Sequence, residues 1–305
     1  TSFFGIAGSE DLGGGLKAEF ALESFINGDT GATGPNMAGG FWGRGSNIAL
    51  SKDGLGKVAI GQYDNPLFTA GYTYNPFGSS MVASPTMRHY YSKIASLGFD
   101  TGWVNSLTYE SPIFSGAQLV AQFAPKETTA SGTGNSYALA GYYNAGPLSA
   151  TVSYTSAGRT STFANLTSFS KTAYLAAQKV SNVGASYDFG AAKAFLQYTN
   201  VNTKSAVEVD SSTGKLVGLD TDGGKATIYQ LGVSVPLNEK ATVMASYGAD
   251  KSTPKGGDSA TDKVLSIGYD YLLSKRTDVY GVFVHNAQTD ASSGQTLAVG
   301  IKHNF

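Results

Sequence analysis

The chain contains no cysteine, few charged residues and no long apolar run. The lack of cysteine excludes a disulfide-stabilised scaffold. Charged residues make up 14% of the chain, against roughly 25% in soluble domains, yet no stretch of about 18 apolar residues could form a membrane helix. A formal net charge of −1 excludes a generally basic nucleic-acid-binding protein. No signal peptide is recognisable, as we expect of a mature chain.

Signals of catalysis are equally scarce. The three histidines, His89, His285 and His303, are far apart in the sequence, and neither HExxH nor GxSxG occurs. Glycines 13–15 lie between two predicted strands, whereas a phosphate-binding loop would open a helix. We therefore expect no catalysis, no metal and no cofactor. Acidic residues in predicted external loops could bind Ca²⁺, but their spacing matches no EF-hand, so we interpret them as solvated charge: Asp210, Asp220, Asp222, Asp250, Asp258 and Asp262.

Alternation of apolar and polar residues recurs along the chain with a period of two. In residues 229–237 one face carries Tyr229, Leu231 and Val233, and the opposite face carries Gln230, Gly232 and Ser234. Residues 16–23, 148–154 and 192–198 show the same division. In most segments the second face is small and polar and also carries the charges. This pattern is typical of a membrane β-barrel, in which the apolar face meets lipid and the polar face meets water.

We predict fifteen strands in one β-barrel domain spanning residues 1–305. The connections between them alternate between short turns and long loops, which indicates an antiparallel up-and-down topology. Because such barrels have an even number of strands, we expect one further strand before Thr1. The predicted strands are 2–9, 15–24, 41–51, 55–62, 101–110, 116–123, 136–143, 148–155, 182–188, 191–199, 226–236, 240–248, 263–271, 276–285 and 294–305.

One connection, residues 63–100, is far longer than an ordinary hairpin loop. Its prolines Pro66, Pro76 and Pro85 forbid a regular strand, and a loop of this length inside a compact domain is usually functional. We predict that it folds into the lumen of the barrel and sets the width of a pore. At the constriction we place six residues of this loop: Asp64, Tyr74, Phe77, Arg88, Lys93 and Asp100. The charges of its ionisable groups, which also include His89, nearly cancel.

Several segments together resemble Gram-negative general porins over nearly the whole chain. They include GSEDLGGGLKA at residues 8–18, NPFG at 75–78, NSLTYESP at 105–112, LSKRT at 273–277 and VGIKHNF at 299–305. The resemblance implies a sixteen-stranded outer-membrane barrel, a homotrimer, and a third external loop folded into the lumen. It also supports a further strand before Thr1. The alternation that ends at Phe305 is similar to the C-terminal signal for membrane insertion.

The chain departs from these relatives where they often carry constriction arginines. It has Gln62 and Thr108 at two such positions and keeps an arginine at Arg44. We place all three at the pore constriction, with Arg44 as a rim or interface charge as the alternative. The loop charges nearly cancel, and Arg44 adds one positive charge to them. We therefore predict a weak preference for anions.

Aromatic residues of the long loop allow two interpretations. Tyr74, Phe77 and their neighbours either pin the loop against the wall, which we favour, or form a slide for sugars. A substrate-specific channel for a sugar or an organic acid is thus the alternative to a general diffusion porin. Expected partners are further copies of the chain, lipid, lipopolysaccharide and small hydrophilic solutes, but no nucleic acid. Tyrosines at strand ends are predicted to form interfacial girdles: Tyr142, Tyr143, Tyr154, Tyr187, Tyr198, Tyr247, Tyr269 and Tyr271.

Overall fold

Fifteen antiparallel strands form a single sheet in the computed structural model, which describes residues 2–34, 40–94, 101–126, 134–158, 172–210 and 221–305. Each strand pairs with the next in the chain, and β1 and β15 stand at the two ends of the order. The strands are β1 (Ser2–Gly13), β2 (Leu16–Ile26), β3 (Gly45–Lys52), β4 (Gly56–Asp64), β5 (Gly102–Glu110), β6 (Ala117–Ala124), β7 (Ser136–Ala145), β8 (Leu148–Ala157), β9 (Thr172–Asp188), β10 (Lys193–Asp210), β11 (Thr221–Pro236), β12 (Ala241–Pro254), β13 (Ala260–Ser274), β14 (Thr277–Gln288) and β15 (Gly294–His303).

The number and order of the strands confirm the up-and-down prediction. Several strands, β9 to β13 above all, are longer than predicted. A tilted membrane strand needs only about 9–11 residues, so the backbone ladder of these strands continues beyond the apolar layer. Residues 41–44, predicted as strand, lie outside β3, and Phe41 and Trp42 pack there against Phe4.

The two faces of the sheet have the predicted character. Val152, Leu231 and Ile60 are about 60% exposed and point outward, whereas inward-facing Gln230 and Ser266 are fully buried. A sheet face rich in exposed apolar side chains is the surface that lipid requires. Of the predicted girdle tyrosines, Tyr142 is an exception, because its side chain points inward.

Two short helices interrupt the long connection between β4 and β5. They are α1 (Pro66–Thr73) and α2 (Pro85–Lys93). The Asn65 side chain accepts a hydrogen bond from the Leu67 amide (2.9 Å), and Ser84 Oγ accepts one from the Met87 amide (3.2 Å). Each cap is followed by proline at the first helical position, which has no amide hydrogen to leave unsatisfied. Within the described residues, neither helix is long and apolar enough to cross a membrane.

Tight turns join the strands at the end of the sheet opposite the long loops. Gly13, Gly14 and Gly15 join β1 to β2 with φ values of 86°, 60° and 76°. L-residues rarely adopt this left-handed conformation, so the glycine run is required by the turn. The prediction of a hairpin instead of a phosphate loop is confirmed.

The acidic residues that were interpreted as solvated charge lie in different environments. Asp250 is only 1% exposed and lies beside His89, so its interpretation as a solvated loop charge is wrong. Asp262 lies in β13 with intermediate exposure, and Asp258 is exposed between β12 and β13. Asp220 and the side chains of Asp210 and Asp222 lie outside the described part of the chain.

Candidate functional site

Residues 65–94, here called the insert, lie against the inward face of the sheet. Helix α1 contacts β7, β8 and β9, and α2 contacts β11, β12 and β13. The described part of the long connection therefore folds into the lumen, as the sequence predicted, but it contains two capped helices where an irregular loop was expected.

An apolar cluster joins the insert to the wall. Leu67, Phe68, Met87, Tyr90 and Ile94 of the insert pack on residues of β9, β10 and β11 that break the otherwise polar inner face, namely Val180, Val201, Ala226 and Ile228. Burying a large apolar side chain contributes about 1.5–3 kcal/mol. These inward apolar residues have no lipid to meet, so their role is to hold the helices in the lumen.

Hydrogen bonds fasten the same surface. Tyr90 Oη lies 2.7 Å from Thr199 Oγ1 and accepts from Asn182 Nδ2 at 2.9 Å. Thr86 Oγ1 donates to Gln230 Oε1 at 2.7 Å. Burial raises the pKa of Tyr90 well above its usual range, so the phenol remains a neutral hydrogen-bonding group.

Four inward-facing glycines provide the space in which the insert sits. A Cβ atom at each would lie 2.5 to 2.7 Å from an atom of the insert, closer than carbon atoms can approach. The pairs are Gly184 with Tyr74, Gly232 with Pro76, Gly248 with Pro85, and Gly268 with Phe77. Glycine within a strand often marks a close backbone approach, and this signal in the sequence was missed.

A cavity of about 860 Å³ remains between α1 and the inner face of β1 to β8. Tyr72 and Tyr74 face it from the insert, and burial raises the pKa of both phenols. Its ionisable walls carry four carboxylates and two basic groups, which are Glu19, Glu23, Asp64, Glu110, Arg44 and Lys57.

Most of these charges are paired across neighbouring strands. Arg44 forms an ion pair with Glu23, and its guanidinium carbon lies 3.8 Å from the centre of the Phe3 ring. Lys57 Nζ lies 3.4 Å from Glu110 Oε2. Glu19 Oε1 accepts a hydrogen bond from Ser51 Oγ at 2.5 Å. The cavity wall therefore presents paired charges and only a small excess of negative charge.

Four of the predicted constriction residues line this cavity: Arg44, Gln62, Asp64 and Tyr74. Gln62 Nε2 donates to the Gly43 carbonyl at 2.7 Å, so this amide also fixes the segment that carries Arg44.

Other predicted residues lie elsewhere. Thr108 is fully buried and accepts a hydrogen bond from Gln122 Nε2 (3.1 Å), so it does not line the cavity as expected. Gln122 in turn accepts from Asn65 Nδ2 (3.0 Å), which makes Thr108 part of the support for α1. Phe77 packs against the wall at Gly268.

The predicted basic residues of the insert lie on or beside α2. Arg88 Nη1 donates to the Val82 carbonyl (3.3 Å), and Lys93 Nζ lies 3.5 Å from Asp250 Oδ1. Asp100 lies outside the described residues, so its predicted place at the constriction remains a prediction.

The sequence-based prediction of the site omitted several charged residues of the wall. Glu19, Glu23, Lys57 and Glu110 line the cavity but were not predicted at the constriction. Each lies on the polar phase of its strand, on the same side as the neighbouring cavity residues. Strand phase alone could have placed them in the lumen.

Comparisons with known proteins agree with this geometry. A family model described as Gram-negative porin matches residues 1–291. The chain is 31% identical over 313 residues to outer membrane porin protein 32 of Delftia acidovorans, covering 99% of this chain and 78% of that protein. It is 28% identical over 339 residues to an outer membrane porin protein of Bordetella pertussis, covering 100% and 82%. A solved anion-selective porin from Comamonas acidovorans matches with a TM-score of 0.78 and 26% identity, over 100% of this chain and 90% of that one.

Proposed function

This chain belongs to the Gram-negative porin family of the bacterial outer membrane, and we propose that the cavity beside α1 is the narrowest part of its channel. The observation that carries the proposal is the seating of the insert on the polar inner face, by an apolar cluster and buried hydrogen bonds. An insert held in this way narrows the lumen permanently. Small hydrophilic solutes and ions then pass by diffusion through the remaining space, and no catalysis or cofactor is involved.

The experiment is a measurement of solute size exclusion. Tyr74→Ala removes a side chain that lines the cavity, and we expect proteoliposomes with this variant to swell faster in larger sugars. Tyr154→Ala, on the outward face, is the matched control. Equal swelling rates for both variants and the parent protein would show that the constriction lies elsewhere.

We also propose a weak preference for anions. Pairing of Glu23 with Arg44 and of Lys57 with Glu110 cancels much of the wall charge, which supports the weakness of the preference. The 26% identity to a porin described as anion-selective supports its sign. The negative charges of Glu19 and Asp64 favour cations and therefore keep the preference for anions small. A reversal potential in a salt gradient measures the sign, and clear cation selectivity would contradict the proposal.

A substrate-specific channel is the second candidate, because Tyr63, Tyr72, Tyr74 and Tyr142 all line the cavity. Three of them direct their hydroxyl groups to partners in the protein, to Glu110, Ser149 and the Pro66 carbonyl. This arrangement favours anchoring of the insert over a sugar slide. Saturable block of the current by a sugar or an organic acid would favour the second candidate.

Self-association as a homotrimer belongs to the same proposal. A solved porin of Vibrio cholerae that shares the fold is described as a trimer form, and the outward faces are apolar enough to meet another protomer or lipid. Cross-linking of the detergent-solubilised protein tests the trimer. Copurifying lipid and lipopolysaccharide, measured by mass spectrometry, test the proposed membrane partners.

A further inference from the structure

A second cluster of ionisable residues lies at α2, apart from the cavity. His89 of α2 approaches Asp250 of β12, and both side chains are only 1% exposed. Asp262 of β13 lies opposite Asp250 in the strand register. One ligand atom from each of these three residues lies within 4.8 Å of the other two. The cluster therefore joins the insert to two adjacent strands of the wall.

The imidazole of His89 has one ring nitrogen paired and one unpaired. Its Nδ1 lies 3.0 Å from Asp250 Oδ2, which makes an ion pair when the ring is protonated, and Nε2 has no hydrogen-bond partner among the described residues. A polar atom left without a partner at such depth costs roughly 1–3 kcal/mol. A metal ion that accepts an electron pair from this ring and from the carboxylates would remove this cost.

The remaining oxygens of the cluster are supported from behind. Asp250 Oδ1 accepts a hydrogen bond from Ser252 Oγ (2.6 Å) and lies 3.5 Å from Lys93 Nζ, so Oδ2 is the oxygen that faces His89. Asp262 Oδ2 accepts from Gln288 Nε2 at 3.1 Å. Hydrogen bonds of this kind orient metal ligands and tune their basicity.

We propose that His89, Asp250 and Asp262 bind a divalent transition-metal ion of the zinc type, which fastens the insert to the wall. One imidazole nitrogen and two carboxylate oxygens suit Zn²⁺, with water from the lumen in the fourth position. Ligands of a tetrahedral zinc ion lie roughly 3.3–3.6 Å apart, so a small rotation of the partly exposed Asp262 completes the site. Ca²⁺ and Mg²⁺ prefer sites built from oxygen alone.

The test uses the detergent-folded protein and two metal probes. Co²⁺ reports tetrahedral coordination by its visible absorption, and Zn²⁺ raises the melting temperature if it binds only the folded state. We expect saturable binding of one ion per chain, competition of Zn²⁺ with Co²⁺, and no comparable effect of Ca²⁺. Absence of saturable binding, or equal binding of Ca²⁺, would overturn the proposal and leave the channel function untouched.

Variants locate the site. His89→Gln and Asp262→Asn are expected to abolish the Co²⁺ absorption, and Gln288→Ala to weaken affinity by about tenfold or more. His285→Gln is the matched control, because His285 lies outside the cluster. If His89→Gln fails to fold, Asp262→Asn alone decides the question. Retention of binding in a folded Asp262→Asn or His89→Gln variant, or equal loss in His285→Gln, would place the metal elsewhere.

Discussion

The pairing of Glu23 with Arg44 predicts how the selectivity of the channel responds to a single charge. Glu23→Gln removes one negative charge from the cavity wall but keeps an oxygen that can accept the hydrogen bond from Arg44. The guanidinium should therefore stay in place, stacked on Phe3. The wall gains a net positive charge at this point, so we expect the preference to move toward anions.

The size of the change follows from Coulomb's law. For an ion passing about 8 Å from the altered charge in water, the energy is about 0.5 kcal/mol, and screening at 0.1 M salt reduces it to about 0.25 kcal/mol. The change has opposite signs for anion and cation, so their difference is about 0.5 kcal/mol. This corresponds to roughly a twofold increase in the ratio of anion to cation permeability.

Reversal potentials in planar bilayers measure the ratio. At 1 M salt the screening length is only about 3 Å, so the difference between variant and parent should nearly vanish. The Arg44→Gln variant should shift the ratio toward cations, and the double variant should return close to the parent value.

Glu10→Gln is the control for Glu23→Gln, because Glu10 is exposed on β1 and does not line the cavity. An equal shift in Glu10→Gln, or no shift in Glu23→Gln at low salt, would refute the assignment of this pair to the conducting path.

Three further predictions concern the seating of the insert. Gly184→Ala should push Tyr74 away from the wall, destabilise the fold by about 1–3 kcal/mol and lower the single-channel conductance. The control Gly141→Ala, where a Cβ meets nothing within 4 Å, should change neither stability nor conductance. Equal conductance in the two variants would contradict the close contact between Gly184 and Tyr74. Asn65→Ala removes both the cap of α1 and the buried hydrogen bond to Gln122, and should cost about 2–4 kcal/mol in thermal or denaturant unfolding. No loss of stability would show that neither bond is formed. Tyr90→Phe should leave the tyrosinate absorbance of the folded protein unchanged in the alkaline range where exposed tyrosines ionise, because burial raises the pKa of this phenol; a lower absorbance would mean that Tyr90 ionises there.

The wall of the molecule was predictable because lipid imposes one rule on every strand. Alternation, together with the division of the connections into short turns and long loops, located fifteen strands and assigned Val152 and Leu231 to the outward face. Strand ends were less predictable, since backbone pairing continues past the lipid into water, where no alternation is required. That is why β9 to β13 extend beyond their predicted bounds.

The insert was predictable in position but not in form. Prolines 66 and 85 excluded strands, yet Asn65-Pro66 and Ser84-Pro85 are also ordinary helix starts, and this second meaning was missed. Thr108 could not be placed from local sequence, because its burial depends on Gln122 reaching over from β6. Contacts between distant segments have no signature in a single stretch of chain.

Long-range contacts of the insert also impose an order on assembly. Thr86 and its partner Gln230 are 144 positions apart in the chain, and Tyr90 is 109 positions from Thr199. Loop closure over such separations carries a high entropic cost before any contact forms. Helix α2 therefore lacks most of its surface until β10 and β11 have joined the sheet, whereas α1 lies mainly against the earlier strands β7, β8 and β9. The channel thus reaches its final width only when the strands beyond its middle are in place.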